Sequence, residues 1–162
     1  MRWGGVVEPD YFQFYAKRVG APWFTDVTDE TYRHRLWTDG GFVVISTFRK
    51  FGTTRVTLDV VEDEPEPPSE EWQHVAEVSL DPGGPLEILS WPGDQEPRST
   101  HVIPKGSVRL RVHWGGLVPG LSEGMVRQGV SDEHLALVVW PAAIAPLAVL
   151  REWDSWPQGG AC

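Results

Sequence analysis

Hydrophobic positions along this chain recur mostly at every second residue, the period of half-buried β-strands. The alternation is cleanest from Ser107 to Trp114. Val108, Leu110, Val112 and Trp114 fall on one face there, and Ser107, Arg109, Arg111 and His113 on the other. Val56, Leu58 and Val60 oppose Arg55, Thr57 and Asp59 in the same way. Near the N-terminus, Phe12, Phe14 and Ala16 oppose Tyr11, Gln13, Tyr15 and Lys17. The runs Phe42–Phe48 and Leu135–Trp140 are apolar on both faces, which suits central strands covered on two sides. Further strands are predicted at Trp72–Leu80 and Leu86–Trp91, joined by Asp81-Pro82-Gly83-Gly84, where proline fixes φ and glycine admits positive φ. Other turns fall at Asp39-Gly40-Gly41, Pro104-Lys105-Gly106, Gly115-Gly116 and Pro119-Gly120. This pattern predicts an all-β fold: an antiparallel β-sandwich of about seven or eight strands. A single domain is expected over residues 1–162, its core at about 10–141.

One short helix is expected. Thr28 can cap it, Asp29 and Glu30 suit its positive end, and Tyr32 and Leu36 lie at i,i+4 before Thr38-Asp39-Gly40 ends it. The C-terminal extension, residues 142–162, follows Pro141 and contains Pro146, so a strap with a helical turn is expected there.

Charge changes the functional picture. The formal net charge is −9, which repels nucleic-acid phosphates and anionic membranes and attracts basic partners. Direct nucleic-acid binding and membrane association are therefore not expected. Six acidic residues and three prolines fill residues 62–71, and no buried strand tolerates that composition, so an exposed, extended acidic loop is expected. Glu62, Asp63, Glu64, Glu66, Glu70 and Glu71 become candidate contacts for a basic protein. Trp91, at a strand end before Pro92-Gly93-Asp94, is a candidate aromatic anchor. The plain alternatives are a solvating linker and tryptophans used for packing. Trp114 and Trp140 are expected in the core, with Trp153 and Trp156 packed near the chain end.

Chemistry finds few footholds. None of the five histidines pairs with another at i,i+2 or i,i+4, and the one cysteine, Cys162, is the last residue, so no metal site, cofactor or intrachain disulfide is expected. There is no Gly-x-Ser-x-Gly elbow and no glycine-rich phosphate loop. One arrangement has catalytic meaning: Asp132-Glu133-His134 meeting Arg109, Arg111 and His113 across the sheet could act on a phosphodiester. The plainer reading makes those cations solvated, or paired with Glu77 and Glu87 on neighbouring strands. A binding protein is thus expected rather than an enzyme. The first residues carry no apolar run of the signal-peptide kind, and Leu135–Leu150 is broken by two prolines, so a cytoplasmic location is expected.

Several of these pieces, in order, resemble the competence protein J family, small bacterial inhibitors of a DNA-entry nuclease. They are Tyr11-Phe12-Gln13-Phe14, then Thr28-Asp29-Glu30, then Gly41-Phe42-Val43-Val44-Ile45. Ile103-Pro104-Lys105-Gly106 leading into Val108–Val112, and the apolar strand Leu135–Trp140, complete the set. The resemblance implies a β-sandwich inhibitor of a nuclease, or an immunity-type partner of a toxin. It supplies no contact residues, so the interface expected here comes from charge and exposure alone. The second expectation is a sandwich that binds a carbohydrate or other small ligand through Trp91 and its neighbours, and the third is a small hydrolase using His113 and His134.

Overall fold

In the computed structural model, residues 1–22, 34–49, 52–90, 96–118 and 132–156 are described. They form eleven strands in two packed sheets. The strands are β1 (Arg2–Val7), β2 (Gln13–Arg18), β3 (Leu36–Thr38), β4 (Phe42–Ser46), β5 (Thr54–Val60) and β6 (His74–Leu80). They continue with β7 (Leu86–Leu89), β8 (Ser99–His101), β9 (Val108–Gly115), β10 (His134–Pro141) and β11 (Ala148–Arg151). The six-stranded sheet, sheet A, runs β1-β5-β10-β9-β6-β11, and the five-stranded sheet B runs β3-β4-β2-β7-β8. The all-β sandwich expected from the alternation is what the chain adopts. All pairs are antiparallel except β5–β10, which runs parallel with His134 beside Arg55 and Leu137 beside Leu58.

The inner faces follow the period of two. Val56 and Leu58 of β5, Leu110, Val112 and Trp114 of β9, and Leu135, Leu137 and Val139 of β10 meet Phe14, Ala16, Val43, Ile45 and Ile88 of sheet B in one continuous core. Each such aliphatic side chain contributes roughly 1.5–3 kcal/mol by leaving water. Trp114 also donates its indole N–H to the Ser46 carbonyl across the sandwich at 2.7 Å. The β4 run is apolar on both faces, as predicted. Val43 and Ile45 enter the core, while Phe42 and Val44 join Tyr15, Leu89 and Trp37 on the far side.

Four short or irregular strands, β1, β3, β8 and β11, extend the pattern. In β1 the glycines obscure the alternation, yet Trp3 and Val7 turn inward. A Cβ on Gly5 would fall 2.3 Å from the Trp3 ring, so that ring occupies the space a side chain would need. The predicted helix start, Thr28–Glu30 with Tyr32, lies outside the described residues. Its predicted end is corrected: Leu36–Thr38 is a strand paired with β4, and Leu36 is fully buried in the core. Arg35, with φ of 63°, sets the chain direction just before it. As far as Trp156 the extension past Pro141 is an extended strap, as expected, but in place of the expected helical turn it forms β11 on the edge of β6.

Two predicted turns are held together by a side chain. Arg18 sends guanidinium N–H groups to the carbonyls of Gly84 at 2.8 Å, Pro104 at 3.0 Å and Gly106 at 2.8 Å. Gly83 N–H donates to the Lys105 carbonyl at 2.9 Å, so the turns at 81–84 and 104–106 lie side by side.

Candidate protein interface on the outer face of sheet A

The alternation places Arg109, Arg111 and His113 on the outer face of sheet A, but it does not leave them in solvent. All three are buried, beneath the acidic loop and the strap. This corrects the expectation of solvated cations; the alternative pairing with Glu77 holds. Register puts Glu77 opposite Arg111 on β6 and β9. Its carboxylate accepts Arg111 Nε at 2.6 Å on one oxygen and Arg109 Nε at 3.1 Å on the other. Glu87 instead faces Lys17 on sheet B, at 3.8 Å.

The remaining guanidinium protons reach mostly main chain, with Arg109 also donating to the Ser79 hydroxyl at 3.0 Å. Arg109 donates to the strap carbonyls of Ala145 at 2.9 Å and Pro146 at 2.8 Å. Arg111 donates to the loop carbonyl of Glu66 at 2.8 Å. Arg151 of β11 donates to Ser69 at 2.7 Å and Trp72 at 2.8 Å, closing the far end of the loop. Trp140 is buried on this same outer face, beneath the Arg111 guanidinium at 5.3 Å, rather than in the inter-sheet core.

The acidic loop is therefore a fixed ridge rather than a free linker. Glu62, Asp63, Glu64, Glu66, Glu70 and Glu71 are all exposed, as the composition of this segment predicts. Glu64 lies 3.8 Å from Arg111 but keeps most of its surface in solvent. Among the described residues the other five carboxylates enter no ion pair, and Glu71 accepts a hydrogen bond from Ser69 at 3.0 Å. Three prolines stiffen the segment, and the guanidinium bonds fix its middle and its C-terminal end. Grooves of about 640 Å³ and about 560 Å³ lie against its two sides. Trp91 lies outside the described residues. The signal that sequence reading could have used for the loop anchors is the excess of arginine on β9 opposite Glu77.

The proposed acid–base constellation does not assemble. His113 and His134 do meet, both against the Trp72 indole, with ring centroids 5.3 and 5.4 Å from it. However, Arg109 and Arg111 are committed to Glu77 and to main chain. Glu133 is buried and points elsewhere, accepting the Phe48 amide at 2.6 Å and the Arg49 amide at 2.9 Å. Burial pushes the Glu133 carboxyl up to about 7 despite those two amides. Among the described residues no group of three or more His, Cys, Asp or Glu side chains converges as metal ligands would.

Neither a family model nor a curated protein matches the chain. Solved structures do. ComJ, inhibitor of the DNA degrading activity of NucA, from Bacillus subtilis, superposes with a TM-score of 0.64 over 88% of this chain and 98% of its own, at 16% identity. The fold is ComJ-like. Crocagin biosynthetic gene J superposes with a TM-score of 0.59 over the same shares of the two chains, at 13% identity. At such identities the ComJ-like sandwich is shared architecture.

Proposed function

We propose that this protein is a nuclease inhibitor that docks the acidic ridge, residues 62–71, into a basic surface of its target. The reading is carried by the superposition on ComJ over nearly the whole of that inhibitor. It is supported by the exposed carboxylates of Glu62, Asp63, Glu66, Glu70 and Glu71 on a segment held by Arg111 and Arg151. A nuclease must present cations where it grips phosphates, and a rigid row of carboxylates competes for those cations. Fixing the row in advance spares the ordering cost that a flexible acidic tail would meet on binding. Trp91 belongs to the same proposal as an aromatic contact.

The test is a DNA-degradation assay with NucA and a panel of basic nucleases. Wild-type protein should suppress at least one of them in a stoichiometric manner. The combined Glu64→Lys, Glu66→Lys, Glu70→Lys and Glu71→Lys variant should keep its circular dichroism and lose most of that suppression. An equally potent variant removes the ridge from the interface, and failure of the wild type against every nuclease removes the role itself.

A further inference from the structure

The groove of about 560 Å³ beside the ridge has a chemistry of its own, and its volume falls in the range of small-molecule sites. Its lining comes from the outer face of β5, β9 and β10, from the loop prolines and from Trp72. Sheet register puts His113 opposite Ala136 and His134 two residues earlier on the same face.

Both imidazoles are fixed in the same tautomer. His113 Nδ1 lies 2.9 Å from the Ala136 carbonyl, and His134 Nδ1 lies 2.9 Å from the Asp132 carbonyl. A carbonyl only accepts, so each Nδ1 carries a proton, and in the neutral ring Nε2 is the acceptor. Burial, with the nearby Arg111 charge, holds the His113 ring in its neutral form against the pull of its Ala136 bond and of Glu77. Both rings pack against the Trp72 indole on the groove wall.

The charges in the groove cancel. Arg2 and Arg55 stand against Asp59 and Glu66, and Arg2 already holds Asp59 through bonds of 2.8 and 3.0 Å. In a protein of net charge −9 this lining favours neither a cation nor an anion. It asks for a partner that donates to two imidazole nitrogens and also accepts from the Arg55 guanidinium and the Thr57 hydroxyl. Hydroxyl groups do both. The Trp72 indole and the rings of Pro65, Pro67 and Pro68 add apolar surface suited to the C–H face of a sugar ring.

We infer that this groove binds a neutral saccharide. The site shares Glu66 and the loop prolines with the ridge, but it otherwise uses the sheet face and Trp72, and none of its three test variants touches a ridge carboxylate.

Saturation-transfer NMR on the full chain, with a panel of neutral mono- and disaccharides, tests the inference. At least one sugar should bind saturably, with transfer strongest at its ring protons. Thr57→Val and Arg55→Met change exposed positions and leave the fold intact, while His134→Phe keeps a ring against Trp72 but removes the acceptor. Each should weaken binding about tenfold, the loss of one net hydrogen bond. Absence of saturable binding across the panel overturns the inference. So does binding that all three variants retain unchanged, or binding confined to charged sugars.

Discussion

Arg111 Nε stands 2.6 Å from Glu77 Oε1 on the outer face of sheet A, with both side chains almost wholly removed from solvent. The same carboxylate serves Arg109, so two buried cations share one anion. Removing one partner of a buried pair leaves an uncompensated charge, at a cost of about 3–5 kcal/mol. Glu77→Ala should therefore lower stability by about that amount, read from urea unfolding, and should release the strap as well as the loop. A loss below about 1 kcal/mol would mean that water screens the pair in solution.

That burial also reverses a natural reading of the strand. Alternation alone makes Leu110→Asp severe and Arg111→Asp mild, since one faces the core and the other faces out. Here Leu110 and Arg111 are both buried. Arg111→Asp would set a carboxylate against Glu77, so both variants should lose several kcal/mol or fail to fold. Arg55→Asp, at an exposed position of β5, is the mild control and should change stability by less than about 0.5 kcal/mol.

Two buried groups give stability opposite dependences on pH. Burial, the leading cause, lowers His74 to about 4 while its Nε2 donates to the His34 carbonyl at 3.2 Å. The folded state then binds fewer protons than the unfolded chain, so this contribution is complete above pH 6.5 and is lost as pH falls toward 4. Glu133, raised to about 7, behaves the other way: its penalty is absent below 4.5 and grows as pH rises to 7. Each effect amounts to roughly 3 kcal/mol across its window, so the two largely offset near pH 5–6. Glu133→Gln removes one of them. Its unfolding free energy should climb more steeply from pH 4.5 to 6.5 than that of the wild type, in which the growing Glu133 penalty offsets the gain from His74. A flat profile in the variant would show that His74 does not titrate in this range.

Association with a basic target should carry the signature of charge. Attraction over a Debye length accelerates encounter at low salt and is screened as ionic strength rises. The association rate of wild-type protein with a suppressed nuclease should fall at least tenfold between about 0.02 M and 0.5 M salt. The lysine-substituted ridge should show little such dependence. Stopped-flow fluorescence reads both, and a salt-insensitive wild type would make the contact apolar.

Much of this arrangement was legible in the sequence, and the reasons for the rest are physical. Period-two alternation identified β2, β5 and β9 because each buries one face against the core. The acidic loop was legible because proline and carboxylates exclude it from a sheet. The cover on Arg109 and Arg111 was not, since alternation reports which side chains share a face, and only tertiary contact decides whether that face is wet. The i,i+4 spacing of Tyr32 and Leu36 suggests a helix, but such spacing also occurs by chance where a short strand begins, and Leu36 pairs with Ile45. The N-terminal strand escaped notice because Gly4 and Gly5 carry no side chains to alternate. The meeting of His113 and His134 required the β9–β10 register, which no spacing along the chain encodes.

The strap has a consequence for how the molecule is made. Residues 142–151 emerge from the ribosome after every other strand, yet they supply the carbonyls that Arg109 needs and the Arg151 that pins the loop. Until they emerge, the nascent chain has an unfinished sheet edge at β6 and a ridge without its Arg151 anchor. Full anchoring of the ridge therefore waits on the pairing of β11 with β6.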